Sequence, residues 1–110
     1  MFDNRLYVLT RKDLSESLSL SYQAVQGAHA VAQFAIENPA DNRVWNNNYL
    51  IFLEVDNLEH LQFWEWKLDQ LDVVMSKWYE PDLNNELTAI AVYPADRNNG
   101  IFSSLKLMGA

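Results

Sequence analysis

The residues of this chain best suited to chemistry are two glutamines and a histidine on one predicted helix, and two carboxylates in a later connection. Tyr22, Gln26, His29 and Gln33 recur at i, i+4, i+7 and i+11, which aligns them along one edge of a helix. Polar side chains at such an edge are held by packing yet still reach solvent or a ligand. A histidine titrates near neutrality, so His29 can act as a base or a substrate contact. It can equally be a boundary histidine whose ring nitrogen bonds a backbone carbonyl. Gln26 can orient a water or a ligand through its amide, or hold a neighbouring loop. Asp82 follows a predicted strand and lies in a loop, where binding residues concentrate. Aspartate after proline is also a common turn residue, and Pro81 precedes it. Glu80 is an alternative carboxylate, and the sequence leaves open which of the two faces the helix.

Other chemistries find little support. His60 lies far from His29 in sequence, and no further ligands converge on either, so no metal site and no cofactor is expected. There is no glycine-rich phosphate loop, no G-x-S-x-G elbow and no H-E-x-x-H pair. The absence of cysteine rules out a disulfide framework and thiolate metal ligation. The formal charge is −7, from 8 Lys+Arg against 15 Asp+Glu, and this weighs against a strong grip on a phosphate backbone. The start, M-F-D-N-R-L-Y-V-L-T, lacks the features of a signal peptide. No apolar run approaches the ~18 residues that span a bilayer, so the expectation is a cytoplasmic protein with no membrane contact.

The elements that must position these groups follow from periodicity. With 110 residues, 49% of them hydrophobic, the chain is expected to form one domain with a real core. Residues 5–10 predict a buried strand, and 11–20 a loop with a single turn at the Asp13/Glu16 capping-box spacing. A helix is predicted over 21–37, ending before Asn38-Pro39, with Ala24, Val25, Ala28, Val31, Ala32, Ala35 and Ile36 as its buried face. Residues 40–48 read as an exposed loop and 49–55 as the strongest strand. Asp56 is the expected N-cap of a second helix carrying Leu58, Leu61, Trp64, Leu68 and Leu71 on its core face. Strands over 73–79 and 87–93, joined by a short connection at 80–86, precede a polar loop at 94–100 and a closing helix at 101–108. The order β-α-β-α-β-β-α predicts an α/β fold with a four-stranded mixed sheet and helices packed on it.

Phe63 and Trp66 project away from the second helix's core face and suggest a partner surface. With Trp64 and Trp78 they could form a nucleobase-stacking platform, although core packing explains Trp64 and Trp78 more simply.

Several segments together resemble the archaeal/eukaryotic-type peptidyl-tRNA hydrolases. Y-Q-A-V-Q-G-A-H-A, beginning at Tyr22, is similar to that family's first-helix motif K-I-A-A-Q-C-x-H-A. Arg11 with Asp13-Leu14 is similar to R-T-D-L, residues 88–95 to T-V-L-A-I-G-P-A, and Leu105-Lys106-Leu107 to the end of H-L-K-L. The resemblance implies that family's mixed-sheet fold, ester hydrolysis of peptidyl-tRNA or a related substrate, a tRNA acceptor end as partner, and a homodimer. The expected catalytic groups are His29, which the resemblance makes a motif member only, and Asp82, which stands for the family's aspartate; Tyr22, Gln26, Arg11, Lys12 and Asn84 are expected in contact with substrate. Two departures stand out. Tyr22 replaces the lysine that opens the family motif, and E-P-D-L-N-N-E-L, which has no threonine, stands for the family's D-A-G-R-T-Q-I segment. These admit an alternative: a catalytically degenerate binding module that keeps the fold and pairs through Phe63 and Trp66.

Overall fold

The computed structural model describes residues 4–45, 47–93 and 100–110, and it is built around a strand with no exposed residue. That strand, β1 (Leu6–Arg11), runs parallel to β2 (Leu50–Val55) and antiparallel to β4 (Glu86–Tyr93). Strand β3 (Val74–Glu80) pairs antiparallel with β4, and β5 (Lys106–Leu107) antiparallel with β2. The sheet order is β3-β4-β1-β2-β5, so the mixed sheet has five strands rather than the four expected. The expected closing helix is replaced by turns and β5. Met108 N–H donates to the Phe52 carbonyl at 2.9 Å, and Gly109 takes a left-handed φ of 77° that ends the segment. A two-residue strand is too short to show a period of its own. The polar loop expected at 94–100 falls, up to residue 99, outside the described residues.

Among the described residues four α-helices accompany the sheet: α1 (Lys12–Ser17), α2 (Leu20–Glu37), α3 (Pro39–Trp45) and α4 (Leu58–Gln70). Residues 12–17 thus form a helix where a loop with one turn was expected, and 39–45 a helix where a loop was expected. Helix α3 exists to seat Trp45, which is buried and donates Nε1–H to the Tyr49 carbonyl at 3.0 Å. The expected cap of α4 moves by one residue. Asn57 Oδ1 accepts the His60 amide at 3.0 Å, while His60 Nδ1 accepts the Asp56 amide at 2.9 Å. His60 is therefore a capping residue.

Alternation along the strands divides the core in two. Tyr7, Leu9, Leu53, Val55, Ile90 and Val92 meet Leu61, Trp64 and Leu68 of α4 on one face. Leu6, Val8, Ala89 and Ala91 meet Ala30 and Phe34 of α2 and Trp45 on the other. Leu71, expected on the core face of α4, is exposed; Phe63 and Trp66 are 49% and 60% exposed.

Helix α2 is turned relative to expectation. Its buried residues are Gln23, Gln26, Gly27, Ala30 and Phe34, while Val25, Ala28, Ala32 and Ile36 face outward. The reason lies in the strands it covers. Gln23 Nε2–H donates to Thr10 Oγ1 at 3.0 Å, and Thr10 in turn donates to the Leu53 carbonyl at 2.8 Å. Gln26 Oε1 accepts from Thr88 Oγ1, so each buried amide is held at one end, while Gln23 Oε1 is buried without a hydrogen-bond partner among the described residues. Gly27 lets the helix approach closely, because a Cβ there would lie 2.5 Å from the Phe52 ring.

Candidate active site

The site forms where α2 crosses the ends of β3 and β4. Ser19 caps α2, its side chain accepting the Tyr22 amide at 3.0 Å, and this fixes the first turn over the strand ends. Tyr22, Gln26 and His29 follow along one edge of the helix.

Alternation on β3 turns Ser76, Trp78 and Glu80 toward α2. Ser76 bonds Asn38 at the C-cap of α2 (2.9 Å), and the His29 ring stacks on Trp78 with centroids 4.6 Å apart at 24°. Opposite them β4 carries a bulge: Trp78 pairs with Ala89 and Tyr79 with Leu87, leaving Thr88 as the extra residue. The bulge puts Thr88 and Ala89 on the same side of the sheet. Thr88 Oγ1–H consequently reaches Gln26 Oε1 at 2.8 Å, fixing an amide that is 1% exposed.

Glu80, also buried, closes the cluster. Its Oε2 accepts the backbone N–H of Asp82 at 3.1 Å, in the 3₁₀ turn Pro81–Leu83. That amide holds the Glu80 carboxyl below the usual glutamate range. Burial works against the shift, and Gln26, the Trp78 indole and the His29 ring reinforce it. Trp78 Nε1 is buried without a hydrogen bond of good geometry, so its help to Glu80 is electrostatic rather than a formed bond. Burial, followed by the charges of Glu80 and Asp82, pushes the Tyr22 phenol above its ordinary value and keeps it a hydrogen-bond donor at neutral pH.

Of the residues singled out in the sequence, Tyr22, Gln26 and His29 meet here with Glu80 as the inner carboxylate. Asp82 is exposed at the rim and contributes its amide to Glu80. Asn84, also exposed, takes a left-handed φ of 55° as it leaves the turn. Among the described residues no hydrogen bond fixes the His29 ring; Trp78 orients it instead. Arg11 is drawn into the interior. Its Nε and Nη2 grip Asp13 at 3.1 and 2.7 Å, and Nη1 bonds Glu86 at 2.5 Å and the Leu87 carbonyl at 3.0 Å. Its guanidinium is a tie between β1, α1 and β4. Lys12 is exposed and lines a different cavity of about 250 Å³ with Glu54, Asp56, His60 and Lys106. Sequence reasoning missed Trp78 and Thr88 as site residues. The signals were present: Thr88 opens the segment similar to T-V-L-A-I-G-P-A, and Ser76, Trp78 and Glu80 share one parity of a strand.

Among the described residues no group of three or more His, Asp or Glu side chains is placed to hold a metal ion, and no helix is long and apolar enough to cross a membrane. The fold and cluster define an α/β protein whose helix presents a glutamine–histidine edge to a carboxylate ending a strand of a mixed sheet. Over residues 4–108 the chain matches the family described as peptidyl-tRNA hydrolase PTH2, and it belongs to that family. No curated protein matches it significantly.

Proposed function

We propose that this chain, as one catalytic domain in the cytoplasm, hydrolyses the ester linking an N-blocked aminoacyl or peptidyl group to tRNA. The observation that carries the reading is the arrangement of Gln26. Its Oε1 is occupied by Thr88, so its amide N–H₂ is the end turned toward the ionised Glu80. In this reading a water between them donates to Glu80 and is oriented by Gln26. Glu80 accepts the water's proton as its oxygen attacks the ester carbon. The Tyr22 hydroxyl donates to the developing oxyanion, in place of the family lysine. His29, held face-on by Trp78, gives a ring proton to the ribose oxygen as its bond to the acyl carbon breaks, and the proton taken up by Glu80 returns to His29 to close the cycle. Glu80 thus takes the role that the resemblance assigned to Asp82, and Asp82 positions it.

The test is release of the acyl group from N-acetylaminoacyl-tRNA. Turnover should be measurable for the wild type and fall about 10²-fold or more in Glu80→Gln. No release above buffer at micromolar protein would sink the reading.

Tyr22 itself favours a second reading. A phenol beside two carboxylates supplies no positive charge to a phosphate, which suits a degenerate module that binds without catalysis. That reading expects an inactive homodimer assembled through exposed Phe63 and Trp66. Light scattering that shows a monomer, unchanged by Trp66→Ala, would count against it.

A further inference from the structure

Strand β3 is an edge of the sheet: α2 covers one face, and Lys77 reaches Glu65 of α4 on the other. Among the described residues no strand pairs with its outer side. Unpaired strand edges are templates for another strand, and proteins that leave them open either guard or use them. Two cavities open on this one. The first, about 280 Å³, is lined by Gln33 and Glu37 of α2 with Met75, Lys77, Trp78 and Tyr79. The second, about 330 Å³, is lined by Glu65, Trp66 and Asp69 of α4 with Met75 and Lys77. They adjoin along the strand through Met75 and Lys77, one toward each helix. Consecutive side chains of an added strand point to opposite faces and would enter one cavity each.

The charge of the two cavities selects the occupant. Lys77, which lines both cavities, is paired through Nζ with Glu65 Oε2 at 3.0 Å, so these two charges offset each other. Glu37, whose Oε2 accepts Gln33 Nε2–H at 2.7 Å, and Asp69 remain as the unneutralised charges, one per cavity, with no cation in ion-pair contact among the described residues. Trp66 and Tyr79, 60% and 45% exposed, offer aromatic surface to long cationic side chains. A second copy of this chain fits poorly. Antiparallel pairing of β3 with itself would bring these acidic rims together in a protein of net charge −7.

We propose that the outer edge of β3 binds an extended polypeptide segment carrying two adjacent basic residues, added as a further strand with one basic side chain in each cavity. The proposal rests on the strand edge and its cavities, independently of the hydrolase reading. The probe is the blocked peptide acetyl-V-T-K-R-V-T-amide, titrated against the full chain while tryptophan fluorescence and backbone amide NMR shifts are followed. Saturable binding is expected, with shifts concentrated on Val74–Glu80 and the cavity linings. Replacing K-R by E-E in the peptide, or introducing Glu37→Lys with Asp69→Lys in the protein, should weaken binding about tenfold or more. Both protein positions are exposed, and circular dichroism checks that the double variant is folded. N-methylation of alternate peptide amides should abolish binding, because it removes the ladder bonds while leaving the charges. The proposal is overturned by no saturable binding at millimolar peptide, by shifts located elsewhere, by equal affinity of the methylated peptide, or by self-association through β3 that the peptide does not displace.

Discussion

Thr88 and Gln26, 62 residues apart in sequence, are joined by a 2.8 Å hydrogen bond in the protein interior, and the bulge in β4 makes the bond geometrically available. The threonine hydroxyl donates, so the glutamine carbonyl is occupied and its amide N–H₂ is the end turned toward Glu80. Thr88→Val keeps the shape and removes the donor, leaving Gln26 Oε1 buried and unpaired. Such a loss costs about 1–3 kcal/mol. Urea unfolding should show a lower midpoint with an unchanged slope, and ester turnover should drop with it. Thr88→Ser, which keeps the hydroxyl, should recover most of the activity. An unchanged midpoint and turnover in Thr88→Val, with the loss confined to Thr88→Ser, would mean that the methyl group, rather than the hydrogen bond, carries the effect.

Glu80 makes a pH prediction whose sign follows from its depressed pKa. In the folded chain the carboxyl releases its proton more readily than in the unfolded chain. Its stabilising contribution is therefore complete above the ordinary glutamate range and is lost as pH falls through the lowered folded value. The stability gap between wild type and Glu80→Gln should be constant near neutrality and shrink below the ordinary range. Carboxyl ¹³C shifts should place the Glu80 midpoint beneath that of glutamate in an unstructured peptide; a midpoint at or above it would refute the assignment. A reaction that uses the ionised carboxylate as base should likewise keep its acid limb on the low side of ordinary glutamate.

The positions of the long elements were legible in the sequence, because apolar runs at 49–55 and 87–93 and the 3.6-residue pattern at 21–37 are local signals. The face that α2 buries was not. Val25, Ala28, Ala32 and Ile36 have the right spacing for a core stripe, yet the covered side is set by hydroxyls on Thr10 and Thr88, one before the helix and one far after it. A glutamine pattern reads as solvent-facing until its partners are known. Similarly, Pro81-Asp82 looks like an active loop, whereas the alternation of β3 places Glu80 inside and leaves Asp82 an amide donor. Helix α3 was hidden because its one buried residue, Trp45, is too little for a pattern.

Arg11 separates a structural role from substrate contact. Burial opposes its charge, but the hydrogen bonds to Asp13 and Glu86 outweigh burial and raise its pKa, so the guanidinium stays charged at every working pH. Asp13 and Glu86 are themselves 35% and 42% exposed at the side chain, which softens the cost of losing their partner. Arg11→Ala should destabilise by about 2 kcal/mol, through the stranded Leu87 carbonyl as much as through charge. Arg11→Lys should recover only part of this, since an ammonium cannot grip Asp13 with two parallel bonds. A substrate contact would give the opposite result: a raised KM with an unchanged unfolding midpoint.

Gly27 tests whether close approach of α2 to the sheet is what seats the site. In an ordinary helix interior, glycine to alanine stabilises by about 1 kcal/mol. Here the new methyl would lie 2.5 Å from Phe52 Cε2 and 3.0 Å from both Phe52 Cζ and Thr10 Cγ2. Overpacking of that kind costs about 1–3 kcal/mol, which outweighs the gain in helix propensity. Gly27→Ala should therefore lower the unfolding midpoint. It should also displace α2 at the position between Gln26 and Ala28, loosening the Gln26–Thr88 bond and reducing turnover beyond the loss of stability. Adding Phe52→Leu makes room for the methyl group, so the double variant should be more stable than Gly27→Ala alone. A double variant no better than the single one would show that the clash is not the cause.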